Sequence, residues 1–131
     1  MKKTLLLLSI IAVLFISLET ASAAVAGSVI EPQSTSCTIS FSKTSSTSAQ
    51  AKVLATRPGA SSITSTIQLQ KKSGSSYVNV GSPAVKTVKS NSINHIKTFS
   101  ISASNTYRIR VTIKYTKKGV TTSNNYYKNL Q

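Results

Sequence analysis

The sequence is almost without acid. Its 131 residues carry 16 Lys and Arg against two carboxylates, Glu19 and Glu31, with no Asp, one Cys, one His and no Trp. These shortages exclude several chemistries. Glycoside cleavage in its usual form needs a pair of carboxylates. A hard-metal site needs several oxygen ligands, and a zinc site needs about four Cys, His or acid ligands. Cys37 and His95 cannot supply either within one chain. A single Cys also excludes an intrachain disulfide, so the staple common in small exported domains is missing and the core must provide the stability. There is no phosphate-binding glycine loop and no G-x-S-x-G elbow. A Cys37–His95 dyad or a Ser–His pair is formally possible. However, Cys37 alternates with Ile39 and Phe41 as a core residue does, His95 stands near a strand start where an exposed His is ordinary, and the many serines follow turn and strand-surface composition. The sequence is read as that of a non-enzyme, with no cofactor and no metal. Cys37 is expected to be buried as a small apolar residue; the alternative is a free thiol that bridges two chains.

What is present begins with an export plan. Lys2 and Lys3 precede an apolar run from Leu5 to Leu18, and the small residues Ala21-Ser22-Ala23-Ala24 follow. This is the order of a secretory signal peptide with an A-x-A cleavage site. The cut is placed after Ala23, with Ala26 as the alternative. The run is shorter than the roughly 20 apolar residues of a membrane span, and no later run is long enough to anchor the mature chain. The sequence therefore predicts a signal peptide over 1–23, an extended leader over 24–36, one domain over 37–131, and a secreted protein held at the cell wall, if at all, by charge.

Removing Lys2, Lys3 and Glu19 leaves 14 cations against Glu31, a mature charge of about +13. Internal ion pairs are then nearly impossible. The cations repel one another, which favours solubility at a cost in stability, or they meet an outside polyanion.

Alternation organises the rest. From Tyr107 to Tyr115, Tyr107, Ile109, Val111, Ile113 and Tyr115 point one way, while Arg108, Arg110, Thr112 and Lys114 point the other. Period-two patterning of this length marks a half-buried strand. Other strands are read at 37–42, at 49–55 (alanines inward, with helix as the alternative), at 63–70, at 77–80 with Val78 and Val80 inward, at 84–89 as a short strand or extended edge, at 96–101 with Phe99 and Ile101 in the core, and at 120–127. Lys71–Ser76 is read as a hairpin loop. Asn91 and Asn94 are read as loop. The Thr116–Gly119 turn is read with four or three residues, which turns Tyr126 or Tyr127 inward respectively. About seven short strands divided by turn signals predict an all-β antiparallel sandwich.

The stretch Ser104-Asn105-Thr106-Tyr107-Arg108-Ile109-Arg110-Val111 resembles the tyrosine corner of immunoglobulin and fibronectin type III domains. The resemblance implies an Ig-like sandwich in which the Tyr107 hydroxyl bonds back to upstream backbone. It also puts Ile109 and Val53 near the places of the two immunoglobulin cysteines, and Ile67 or Leu69 in place of the core Trp. In layout the chain is similar to small secreted Ig-like proteins of Gram-positive bacteria. None of this speaks to function.

The candidate site is the cationic row. Arg108, Arg110 and Lys114 recur along one strand face at about 6.5–7 Å per two-residue step. An Ig-like layout adds Gln68, Gln70, Tyr77 and Asn79 from neighbouring strands, and Lys71, Lys72, Lys117 and Lys118 from loops at the strand ends. Arg offers bidentate bonding to carboxylate or phosphate. The expected function is a secreted, non-catalytic module that binds an anionic polymer or glycan. The alternatives are a cationic membrane-active effector, which lacks the usual amphipathic basic helix, and a structural or protein-partner domain using an exposed strand edge. Nucleic acid would bind non-specifically, by charge. The bland alternative for the row is a solvated outer face.

Overall fold

The computed structural model describes residues 35–131. The expected signal peptide, its cleavage site and the leader up to residue 34 lie outside the described residues. Among the described residues no helix is long and apolar enough to cross a membrane. Eight strands follow in order: β1 Ser36–Ser45, β2 Ser48–Thr56, β3 Ser62–Ser73, β4 Ser76–Asn79, β5 Ala84–Val88, β6 Ser92–Ser100, β7 Tyr107–Lys117 and β8 Val120–Asn129. Two antiparallel sheets result, one ordered β1-β2-β6 and the other β4-β3-β7-β8, with β5 also on β3. The fold is a β-sandwich without a disulfide; Cys37 is a free thiol.

The core follows the alternation. Ile63, Ile67, Ile109, Val111 and Ile113 are fully buried from one sheet, and Phe41, Ala49, Ala51 and Val53 from the other. The small alanines of β2 have a packing reason. Phe41 stands opposite Ala51 and Phe99 opposite Ala49, on the two flanks of β2. With only methyl groups between them, the two rings meet edge to face at 6.5 Å, a favoured aromatic geometry. A helix over 49–55 would have lost this arrangement. Val53, Ile109, Ile67 and Leu69 are all buried.

The tyrosine corner is formed: the Ser102 N–H donates to Tyr107 Oη at 2.9 Å. Beyond β8, the Leu130 N–H donates to Tyr107 O, the Gln131 N–H to Phe41 O, and the Lys43 N–H to Gln131 O, each at 3.1 Å. This segment ties the β7–β8 side of one sheet to β1 of the other.

Several expectations need correction. The β7–β8 turn has two residues, Lys118 and Gly119, because Lys117 pairs with Val120. Both turn residues have positive φ, 50° and 76°, as the twist-matched two-residue hairpin turn demands. A two-residue loop keeps the parity of a four-residue one, so Tyr126 packs against the core and Tyr127 is 55 % exposed. The β3–β4 turn is also shorter than expected, since Ser73 pairs with Ser76. Lys71 and Lys72 are therefore strand residues, and Val78 is left 41 % exposed. Finally, β6 starts at Ser92. Asn94 lies within it, and His95, expected at the surface, is 7 % exposed.

Candidate functional site

The outer face of the five-stranded sheet is built by register. Gln70 pairs with Arg108 and Asn79, and Arg108 pairs in turn with Asn129. One row, Asn79–Gln70–Arg108–Asn129, therefore runs across four strands. The next row sets Arg110 between Gln68 and Tyr127. Farther along, Lys114 lies between Thr64 and Ser123. Hydroxyls and amides bond one another over the remaining area: Thr64 with Thr87 at 2.9 Å, Thr116 with Thr121 at 3.0 Å, and Thr112 donating to Asn125 Oδ1 at 2.7 Å.

Arg108 is the fixed point of this face. Its Nε–H donates to Gln70 Oε1 at 2.8 Å, and Gln70 Nε2 donates to Asn79 Oδ1 at 2.9 Å. Its guanidinium lies between two rings, 3.9 Å from the Tyr77 centroid and 4.5 Å from the Tyr127 centroid. Both distances are within cation–π range. Alternation predicted the outward Arg; the stack needs cross-strand register and could not be read from spacing. Tyr127 was missed because the hairpin register was open.

The other expected residues divide. Arg110, Lys114 and Lys72 share the face, Arg110 half-buried and the two lysines exposed. Gln70 is 6 % exposed and supports Arg108 rather than meeting a ligand. Gln68 is 4 % exposed, and its amide is occupied. Nε2 donates to the carbonyls of Leu69, Val80 and Gly81 at 2.9, 3.2 and 3.3 Å, where the chain passes from β4 to β5 along the edge of β3. Lys71 has the inward parity of Leu69 and does not join the row. Lys117, also of inward parity, lies against the Arg57–Ala60 turn, where a Cβ on Gly59 would come within 2.9 Å of its Cε. Lys118 sits in the hairpin turn at the end of the sheet away from Arg108.

A cleft of about 320 Å³ adjoins the stack and was not anticipated. Tyr77, Asn129, Lys43, Asn105, Tyr107 and Leu130 are among its walls. Lys43 comes from the other sheet, so only the tertiary fold brings it there.

No Asp or Glu side chain occurs within 35–131. No group of three or more His, Cys, Asp or Glu among the described residues could hold a metal. His95 does not meet Cys37. Its Nδ1 shares a hydrogen bond of 3.0 Å with Ser65 Oγ across the two sheets, and Ser65 is fully buried. Burial first, then the charges of Lys86 and Lys97, hold the imidazole below its usual pKa, and a hydrogen bond with the Ser65 backbone opposes them. Cys37 is half-buried, and burial pushes its thiol pKa up, the reverse of what an activated nucleophile needs.

No family model matches the chain, and no curated protein does. Among solved structures, the crystal structure of Spo0M, a sporulation control protein from Bacillus subtilis, is similar at a TM-score of 0.40 and 10 % identity, over 78 % of this chain and 50 % of that one. The chain thus spans half the length of that protein. A likeness at this level carries no argument about function.

Proposed function

We propose that this protein is a secreted, non-catalytic module of the small Ig-like kind that attaches to an anionic cell-surface polymer or glycan through the outer face of its five-stranded sheet. One observation carries the reading. Arg108, Arg110, Lys114 and Lys72 share that face with two tyrosines and a field of Thr, Asn and Gln, and no carboxylate side chain within 35–131 can neutralise them. The side chains of Arg110, Lys114 and Lys72 have no hydrogen-bond, ion-pair or ring partner among the described residues. Long-range attraction would come from the cations, screened over about 8–10 Å at physiological salt. Short-range contact would come from hydroxyls, amides and the Tyr127 ring.

The test is retention of the purified protein on a wall teichoic acid, an acidic glycan, DNA and a neutral polysaccharide as salt is raised. Retention on one anionic polymer that outlasts the others near physiological salt supports the reading. Equal and salt-labile retention on every anion reduces the charge to a bulk property.

A further inference from the structure

We infer that the outer edge of the Arg108 guanidinium, with the cleft beside it, is a seat for one oxyanion borne on a sugar ring. This deepens the proposed function by naming the unit of the polymer that is recognised. An Arg side chain has five N–H donors in a planar fork. At Arg108 the Nε–H is committed to Gln70, and the guanidinium carbon lies over the rings of Tyr77 and Tyr127. The Nη nitrogens have no protein partner among the described residues, yet neither is among the buried unpartnered atoms. They therefore reach solvent with their direction already set. Nη donors of this kind match the paired oxygens of a carboxylate or phosphate.

Three features separate this Arg from an ordinary surface cation. Its orientation is fixed by a chain of two hydrogen bonds through a nearly buried amide, so little side-chain freedom remains to be lost on binding. Two rings lie against the guanidinium and the residue is half-buried, which strengthens a charge-assisted hydrogen bond at its edge. No Asp or Glu side chain within 35–131 can occupy the fork in place of a ligand.

The cleft supplies room for what carries the anion. It shares Tyr77 with the stack, and Asn129, which stands opposite Arg108 in the ladder. Its volume of about 320 Å³ is at the small end of ligand sites. Amides of Asn105 and Asn129 face hydroxyls well, and Lys43 adds a cation without a partner among the described residues. Walls that combine two amides and a cation with the tyrosines Tyr77 and Tyr107 suit a sugar rather than a lipid chain. Carboxylate and phosphate share the fork chemistry, so both kinds of acidic sugar are candidates.

The chain has three arginines, Arg57, Arg108 and Arg110, so their side-chain N–H signals can be followed singly by NMR. The purified full chain is titrated with methyl β-glucuronide, glucose 1-phosphate and methyl β-glucoside. The expected result is a saturable shift of the Arg108 signals with an acidic sugar, none at Arg57, and no response to the neutral glucoside. Whichever acidic sugar acts identifies carboxylate or phosphate as the group seated. Arg108→Lys keeps the charge but loses the fork, and is expected to weaken acidic-sugar binding at least about tenfold. Tyr127→Leu, which leaves the fork but removes one wall, is expected to weaken it less. Absence of a saturable shift in the unaltered protein, or Arg108→Lys binding equally well, overturns the inference. Parallel, unsaturable shifts at every cation overturn the seat but leave the polymer reading standing. Saturable sugar binding without retention on any polymer supports the seat and removes that reading.

Discussion

Gln70 Oε1 accepts a hydrogen bond from Arg108 Nε at 2.8 Å while the Gln70 side chain is 6 % exposed. A buried neutral amide thus anchors the Arg108 guanidinium. Replacing Gln70 by Leu leaves Arg108 Nε and Asn79 Oδ1 without their partner, a loss of about 1–3 kcal/mol when hydrogen-bonding groups are stranded. Urea unfolding should report that loss. An unchanged midpoint would mean that the row is solvated and not built.

Stability in acid should follow His95. Its folded pKa lies below the ordinary 6.5, so below pH 6.5 the unfolded chain takes up a proton that the folded chain resists. Stability is therefore full above about pH 6.5, falls as the pH drops below it, and levels off once folded His95 is also protonated. The groups facing it are Ser65, Lys86 and Lys97. Carboxylates usually dominate the acid limb, but none occurs as a side chain within 35–131. Removing both partners together, Ser65→Ala with His95→Leu, should flatten the fall between pH 6.5 and 5. A fall of the same size in the double variant would assign it elsewhere.

Stability in alkali should follow Tyr115. Burial, chiefly, and the neighbouring Tyr126 and Cys37 push its pKa up to about 12, against a smaller opposite pull from Arg57. The unfolded phenol loses its proton from about pH 10, so stability is full below pH 10 and lost as the pH rises towards 12. The Tyr115 hydroxyl is buried without a hydrogen-bond partner among the described residues. Tyr115→Phe should therefore gain about 1 kcal/mol at neutral pH, since an unpaired buried hydroxyl costs about 1–3 kcal/mol in protein contexts, and should soften the alkaline limb. Thermal melts at pH 7 and pH 11 measure both effects.

Tyr107→Phe removes one acceptor, the Tyr107 Oη, from the Ser102 N–H. The expected loss is about 1 kcal/mol, measured by urea unfolding. An unchanged midpoint would mean that the bond from Ser102 adds nothing to stability.

The fold was largely legible because alternation survives wherever one sheet face is buried. Ala49, Ala51, Val53 and Ala55 faced inward as their parity required, and so did Tyr107, Ile109, Val111, Ile113 and Tyr115. His95 was misplaced by a strand start read four residues late, at 96 and not at Ser92. Ile93, His95, Phe99 and Ile101 share one parity, and a strand opened at Ile93 would have sent His95 inward. The site was legible only in part. Spacing along β7 put Arg108, Arg110 and Lys114 on one face, but it has no information on what pairs across strands. Gln68 and Gln70 read as outward polar residues. Register buries both, because a crossing segment caps one and Arg108 covers the other.

The central claim is that one sheet face, and not total charge, binds the polymer. The most direct test matches two double reversals of equal charge. Arg110→Glu with Lys114→Glu alters the proposed face; Lys52→Glu with Lys97→Glu alters exposed cations of the three-stranded sheet. Retention of both variants is measured on the anionic polymer that holds the parent protein best, across a salt gradient. The account predicts that the first pair loses retention near physiological salt while the second elutes close to the parent. Equal losses in the two variants would contradict it and leave a basic protein without a binding face.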